Sequence, residues 1–151
     1  MKARLNTFTA SPAAMKVMMD FSAAVTALDI EHSLQELVKI RASQINGCGF
    51  CLHMHTRDAL KQGESAERIF LLDGWRESPL YTDRERAALA WTEALTRLPG
   101  TVVPDDVYEQ VKAHFTADEQ VKLTVIIGAI NTWNRINVGF QVPHPVSRTA
   151  A

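Results

Sequence analysis

Apolar residues recur at intervals of three and four along most of this chain, and no segment shows four or more clean alternations of apolar and polar residues. The pattern predicts an all-α protein with about seven helices. The predicted helices cover, approximately, residues 12–28, 34–46, 48–63, 66–72, 82–98, 104–115 and 116–138. The most apolar run, residues 123–130, lies in the last of these helices, which we therefore expect to be central.

Local signals set the ends of several predicted helices. Three segments fit the capping box, in which a Ser or Thr and a Glu three residues later cap a helix reciprocally, at 33–36, 82–85 and 116–119. Gly47 is expected to end the second helix and to turn the chain into the third. The third helix is short, and its N-terminus holds both cysteines of the chain, as Cys48-Gly-Phe-Cys51.

The chain has the length and composition of one globular domain, which we assign to residues 1–151. The 16 basic and 17 acidic residues leave a formal net charge of -1 without a basic stripe, so nucleic acid is not an expected partner. No run approaches the ~20 apolar residues of a membrane span, and the N-terminus lacks the apolar core of a signal peptide. We therefore expect a cytoplasmic protein with no membrane partner. In that reducing compartment, paired cysteines indicate metal binding or redox chemistry rather than a static disulfide.

Cys48, Cys51 and His55 are expected to share one face of the third helix, because residues three and four apart on a helix have Cβ atoms ~5–6 Å apart. That spacing also suits a disulfide, whose Cα atoms lie ~4.4–6.8 Å apart. A helix N-terminus stabilises a thiolate by ~0.3–1 kcal/mol, which is less than the ~1.36 kcal/mol that corresponds to one pKa unit. A proton acceptor is therefore needed, and His55 is the nearest candidate by sequence geometry.

Glu36 begins a polar stripe on the second helix that continues through Lys39, Ser43 and Asn46. Such a stripe is usually solvated. If the turn at Gly47 folds this helix back on the third, however, the stripe faces the thiols and Glu36 can relay protons between them and water. The alternative is that Glu36 closes the capping box at 33–36, and the sequence leaves both interpretations open.

The segment carries a motif that resembles the core motif of the alkylhydroperoxidase D-like (AhpD-like) branch of the carboxymuconolactone decarboxylase superfamily. The motif reads Glu36-x2-Lys39-x-Arg41-x-Ser43-x2-Asn46-Gly47-Cys48-x2-Cys51-x3-His55. The resemblance implies an AhpD-like helical fold that assembles into trimers or larger rings, such as hexamers. It also implies thiol peroxidase or disulfide reductase chemistry.

By this resemblance, Cys51 is the peroxidatic thiol that attacks a hydroperoxide, and Cys48 resolves the sulfenic acid as a disulfide. Glu36 and His55 form the proton relay, and an external dithiol or lipoyl-type reductant resets the pair. No cofactor and no bound metal are expected. One position departs from the family peroxidase, which has a histidine just before the second cysteine where this chain has Phe50.

Other CxxC sites fit the sequence less well. A structural zinc site normally pairs two such motifs that are far apart in sequence, and this chain has one. A c-type haem needs a histidine directly after the second cysteine, where Leu52 stands. A thioredoxin-type site follows a strand, whereas a helix is predicted here.

Two function classes remain for the chain. The first is a thiol-dependent antioxidant enzyme that reduces hydroperoxides. The second is a non-peroxidase member of the same fold, either a decarboxylase-like lyase or a redox-sensing oligomer that binds a small molecule. Because decarboxylases of that group do not need a cysteine pair, its presence favours the first class.

Two further groups of residues have open roles. Packing is the default interpretation, and a substrate pocket the alternative, for the first-helix methionines and for Trp75, Trp91 and Trp133. Buried hydrogen bonding, a subunit contact and catalysis are all open for Asn131, Asn134 and Arg135.

Overall fold

A computed structural model describes residues 2–98 and 102–146 of the chain. Within these residues the protein is all-α, with eight α-helices, one 3₁₀ turn and no strand. The helices are α1 (Thr7–Ala10), α2 (Pro12–Thr26), α3 (His32–Asn46), α4 (Gly49–Lys61), α5 (Ala66–Leu71), α6 (Asp83–Thr96), α7 (Asp105–His114) and α8 (Ala117–Gly139), and the 3₁₀ turn is Leu72–Gly74. The predicted fold class is confirmed, and the cysteine pair lies at the N-terminus of α4 as expected.

All seven predicted helices are present, and α1 is the one that the sequence analysis missed. The capping boxes at 82–85 and 116–119 form as predicted, with both reciprocal hydrogen bonds. The capping box at 33–36 was wrong. Helix α3 begins one residue before Ser33 and has Glu31 at its N-cap without a side-chain hydrogen bond. Both carboxylate oxygens of Glu31 instead accept hydrogen bonds from Arg84, which ties the start of α3 to α6.

Helix α3, rather than the final helix, is buried on most sides. It packs against α4, α6 and α8, and nine of its 15 residues are buried. Helix α8 supplies a buried face that includes Leu123 and Ile126, but its opposite face, with Val121 and Gly128, is exposed. Helix α8 nevertheless packs against five other helices, α2, α3, α4, α6 and α7, as expected of the most apolar helix. Helix α3 has the larger buried fraction, and α8 contacts more of the other helices.

Among the residues that the structure describes, no helix combines the length and the hydrophobicity that a membrane span requires. The cytoplasmic location stays a prediction.

Candidate active site

The turn between α3 and α4 places the cysteines against α3. Gly47 adopts a left-handed backbone conformation with φ of 64°, which residues with a side chain rarely adopt. Its N–H donates to the carbonyl of Gln44, and the N–H of Cys48 donates to the carbonyl of Ser43 at 3.0 Å. These bonds satisfy the last carbonyls of α3, and α4 then starts at once and packs back on α3.

Cys48 is the N-cap residue of α4, where its Sγ accepts a hydrogen bond from the N–H of Cys51 at 3.3 Å. The two cysteines are paired as a disulfide, and their Cα atoms are 5.4 Å apart. Each is only 1% exposed, yet Cys51 lines a cavity of about 600 Å³, whereas Cys48 is not among its lining residues. A small molecule in this cavity therefore reaches the sulfur of Cys51 first.

Glu36 and His55 meet across the α3–α4 interface. The Oε2 atom of Glu36 is 2.8 Å from Nδ1 of His55, and its Oε1 atom accepts a hydrogen bond from Nζ of Lys39 at 2.8 Å. Burial would raise the pKa of Glu36, but the hydrogen bond from His55 and the charges of His55 and Lys39 outweigh it and lower the pKa below its ordinary value. Glu36 is therefore a carboxylate at neutral pH, held against the imidazole that stands one helical turn from Cys51.

This geometry excludes the capping-box interpretation of Glu36. Both of its carboxylate oxygens are engaged by side chains of the site, and the capping box with Ser33 is absent. The structure thus brings together all four residues expected from sequence, namely Cys48, Cys51, His55 and Glu36. Their catalytic roles stay a prediction.

Asn137 is a site residue that the sequence analysis missed. It lies on α8, is 8% exposed, and donates from Nδ2 to the Sγ of Cys51 at 3.4 Å. Asn131 and Asn134 precede it at intervals of three, so the three amides line one face of α8. That spacing was the signal in the sequence that could have identified it.

The other two asparagines hold α8 against α3. The Nδ2 of Asn46 donates to the Oδ1 atoms of Asn131 and Asn134 at 2.9 and 2.8 Å, and Asn134 donates to the hydroxyl of Ser43 at 3.0 Å. Buried hydrogen bonding within the chain therefore accounts for these two residues. It also divides the predicted polar stripe of α3, because Ser43 and Asn46 face α8, whereas Glu36 faces the histidine.

Arg41 of the motif is part of a buried cluster of charged residues that lies away from the thiols. Its Nε donates to Oε1 of Glu93 on α6 at 2.8 Å, and the same carboxylate accepts from Trp75 at 2.9 Å and Arg76 at 2.6 Å. Burial would raise the pKa of Glu93, but these hydrogen bonds and the charge of Arg41 lower it to about 2. The cluster fixes α3 to α6 and so fixes the helix that carries Glu36.

Two cavities adjoin the site. The first has a volume of about 600 Å³ and is lined by Cys51, His55 and Asn137 together with mainly apolar residues of α1, α2 and α8. The second, of about 420 Å³, is polar and is lined by Glu36 and His55 with charged residues of α4. His55 lines both, so it stands between the thiol and a polar space in which Glu36 can exchange protons.

The model of the carboxymuconolactone decarboxylase family matches residues 12–94, which is more than half of the chain and includes the whole CxxC motif. The chain belongs to the carboxymuconolactone decarboxylase family. Among its relatives in this family is the uncharacterized protein YdfG of Bacillus subtilis, which is 42% identical over 138 residues, or 91% of this chain and 94% of YdfG.

Solved structures place the chain more closely within the carboxymuconolactone decarboxylase family. The crystal structure of ATU0492 from Agrobacterium tumefaciens, a protein of unknown function proposed as the antioxidant defence protein AhpD, is 49% identical. The alignment has a TM-score of 0.94 and covers 97% of this chain and 100% of ATU0492. The predicted AhpD-like branch is thereby confirmed. The debrominase Bmp8 shares the fold, with a TM-score of 0.84 over 93% of this chain and 75% of Bmp8, at 18% identity.

Proposed function

We propose that this protein is a thiol-dependent peroxidase that reduces hydroperoxides through a dithiol–disulfide cycle of Cys51 and Cys48. The observation that carries the proposal is the position of the Cys51 sulfur. It borders a cavity, is paired with a second cysteine, accepts a hydrogen bond from Asn137, and lies one helical turn from a histidine held by a carboxylate.

The cycle begins with the reduced dithiol. His55 takes the proton of Cys51, and the thiolate attacks the terminal oxygen of the hydroperoxide. The O–O bond breaks, the distal oxygen stays on sulfur as a sulfenic acid, and the alkoxide leaves as an alcohol with the proton that His55 returns. The thiol of Cys48 then attacks the sulfenic sulfur, which forms the disulfide and releases water. An external dithiol restores both thiols by exchange and is itself oxidised to a disulfide.

The surroundings of Cys51 support the first step. A helix N-terminus contributes ~0.3–1 kcal/mol toward the thiolate, which is less than one pKa unit. The carboxylate of Glu36 favours a protonated His55 once the proton has moved, and the amide of Asn137 donates to the sulfur. Helices α4 and α8 thus supply dipole and hydrogen bond to the sulfur, and α3 supplies the carboxylate behind His55, which His55 and, to a smaller extent, Lys39 keep in its ionised form.

The proposed reductant is a dithiol of lipoyl type. The proposed assembly is a homo-oligomer, a trimer or hexamer. Both follow from the family resemblance.

The test is turnover of cumene hydroperoxide with a lipoyl dithiol as reductant, in the wild type and in two single variants. Cys51→Ser is expected to abolish turnover. Cys48→Ser is expected to stop after one oxidation and to accumulate a sulfenic acid that dimedone labels. Undiminished turnover in Cys51→Ser would refute the proposal. A free-thiol count that stoichiometric peroxide leaves unchanged would point instead to a non-peroxidase member of the fold.

A further inference from the structure

The cavity beside Cys51 is much larger than a hydroperoxide group requires. Its volume is about 600 Å³, within the ~300–1,000 Å³ range of small-molecule sites. A water-sized group occupies about 30 Å³, so the cavity has room for about 20 such groups. Hydrogen peroxide fills two of these positions, and a tert-butyl hydroperoxide fills six. Most of the space is therefore available to the organic part of a larger molecule.

The cavity wall is mainly apolar. Buried side chains of α2 and α8 form much of it, including Val25, Ile126, Ala129 and Ile130. Trp133 adds an aromatic face, and its Nε1 donates to the hydroxyl of Ser22, another lining residue, at 2.6 Å, so that its polar atom is satisfied within the wall. Water in such a space makes few hydrogen bonds with the wall, and an apolar chain displaces it favourably.

Three polar groups of the cavity meet at the thiol, and Asn6, Thr7, Ser22, Thr26 and Lys39 also line it among mainly apolar residues. Cys51, His55 and Asn137 are joined to one another by helix geometry and by the hydrogen bond from Asn137 to the sulfur. Phe50, which stands where the family peroxidase has a histidine, adds a further apolar surface next to Cys51. The lining thus matches an amphipathic molecule with one small polar end and a long apolar body.

The N-terminal segment covers part of this space. Leu5 and Phe8 line the cavity, and the segment is tied down by Arg4, whose backbone N–H donates to the carbonyl of Phe140 at 2.9 Å. The guanidinium of Arg4 also donates to the carbonyl of Gly139 at 3.0 Å. These bonds hold in place the segment that carries two of the apolar side chains lining the cavity.

We propose that the substrate is a hydroperoxide with an extended apolar body of about ten carbons or more, bound with its peroxide end at Cys51 and its body between α2 and α8. This inference rests on the proposed peroxidase function. It adds the class of organic group that the site selects. The reaction is the dithiol–disulfide cycle of Cys51 and Cys48, and its product is the corresponding long-chain alcohol.

The first experiment measures selectivity as the ratio of kcat/KM for dodecyl hydroperoxide to kcat/KM for tert-butyl hydroperoxide, with the same lipoyl dithiol. The ratio is expected to exceed tenfold in the wild type. Ala129→Trp adds nine heavy atoms to the cavity wall and leaves room for about 11 groups, fewer than the 14 heavy atoms of dodecyl hydroperoxide but more than the six of tert-butyl hydroperoxide. This variant is therefore expected to lower the ratio at least tenfold. Thr132→Trp, on the exposed side of the same helix, is the matched control and should leave the ratio unchanged. A wild-type ratio near one, or equal ratios in both variants, would overturn the inference and leave the peroxidase function standing.

The second experiment measures binding without turnover. Dodecanol, the product of the long-chain reaction, is titrated into the intact protein while tryptophan emission is recorded. A saturable change that disappears in Trp133→Phe supports the inference, because Trp133 is among the lining residues of the cavity and the other two tryptophans, Trp75 and Trp91, are not. Emission that dodecanol does not alter would overturn the inference. Failure of every hydroperoxide to oxidise the thiols, together with saturable dodecanol binding, would refute the peroxidase function and show that the cavity takes an apolar chain in another reaction.

Discussion

Replacing Glu36 by Gln should slow the oxidation of Cys51 by about 10- to 150-fold. The substitution keeps the size of the side chain and removes its charge. In the native site Oε2 of Glu36 lies 2.8 Å from Nδ1 of His55, so the contact becomes a charge-assisted hydrogen bond once His55 has taken the thiol proton. Hydrogen bonds to charged groups contribute about 1.5–3 kcal/mol, and about 1.36 kcal/mol corresponds to a tenfold change in rate. The expected range follows from these two values.

The slowing of Cys51 oxidation by Glu36→Gln should depend on pH only in the acid range. The pKa of Glu36 is held below its ordinary value, chiefly by His55 against the opposing effect of burial. The carboxylate therefore persists as pH falls through the ordinary carboxyl range near 4.5, and it is lost only below that range. The ratio of the wild-type oxidation rate to the Glu36→Gln rate should consequently stay constant from pH 8 to pH 5 and should fall toward one only in stronger acid.

The assay is single-turnover loss of free thiol after stopped-flow mixing of the reduced protein with cumene hydroperoxide. Glu109→Gln is the matched control, because Glu109 pairs with Lys112 three residues later, as Glu36 pairs with Lys39, but is exposed on α7. The control should react as fast as the wild type. A Glu36→Gln rate within twofold of the wild type would refute the relay.

Three further predictions concern the surroundings of the site. Asn137→Ala removes a donor to the Cys51 sulfur, so stopped-flow thiol oxidation at pH 7 should slow by about tenfold and its pH profile should move to higher pH. Glu93→Gln should lower the free energy of unfolding in urea by about 3 kcal/mol at pH 7, because the pKa of Glu93 is about 2 against an ordinary 4.5. The stability that ionised Glu93 contributes is present above pH 4.5 and is lost as pH falls toward 2. The difference in unfolding free energy between wild type and variant should therefore vanish in acid. Gly47→Ala should lower the free energy of unfolding by about 1–2 kcal/mol, because a φ of 64° is left-handed, although no atom lies within 4 Å of an added Cβ. Gly49→Ala within α4 is the control and should not lower the free energy of unfolding. Thermal unfolding of the two variants gives the comparison.

The helices were largely predictable because their signals are local. Apolar residues at intervals of three and four and the capping boxes at 82–85 and 116–119 act within one or two helical turns. The helices that they predict therefore do not depend on contacts between distant parts of the chain. Helix α1 was missed because four residues are too few for any periodicity, and it is held by Asn6, whose side chain accepts two backbone N–H groups. The box at 33–36 did not form because α3 begins at His32, before Ser33, and because Glu36 binds Lys39 on its own helix and His55 on α4. The contact with His55 depends on tertiary packing, which no local pattern records.

The candidate site was predictable to the extent that one helix carries it. Cys48, Cys51 and His55 share the first turns of α4, so their spacing alone sets their proximity. Glu36 required the additional inference that Gly47 folds α3 back on α4, which the structure bears out. Asn137 is 86 residues from Cys51; its spacing from Asn131 and Asn134 indicates a polar face of α8, but only the packing of α8 shows that this face contacts the sulfur.

The contacts of the buried ion cluster around Glu93 could likewise not be predicted from the sequence. Arg41 belongs to the motif, and the sequence offered no reason to separate it from the thiol chemistry. Its partner Glu93 lies 52 residues away on α6, and Trp75 joins them from the segment after the 3₁₀ turn. Only the packed structure shows that Arg41 supports the helix that presents Glu36 and does not reach the thiols.

The central claim is that Cys48 and Cys51 form a peroxide-driven disulfide. Its most direct test is peptide mass spectrometry of the fully reduced protein after one equivalent of cumene hydroperoxide. The account predicts that the peptide containing both cysteines loses two hydrogens, that dithiothreitol restores them, and that Cys51→Ser shows no such loss. A peptide whose mass the peroxide leaves unchanged in the wild type would contradict the account.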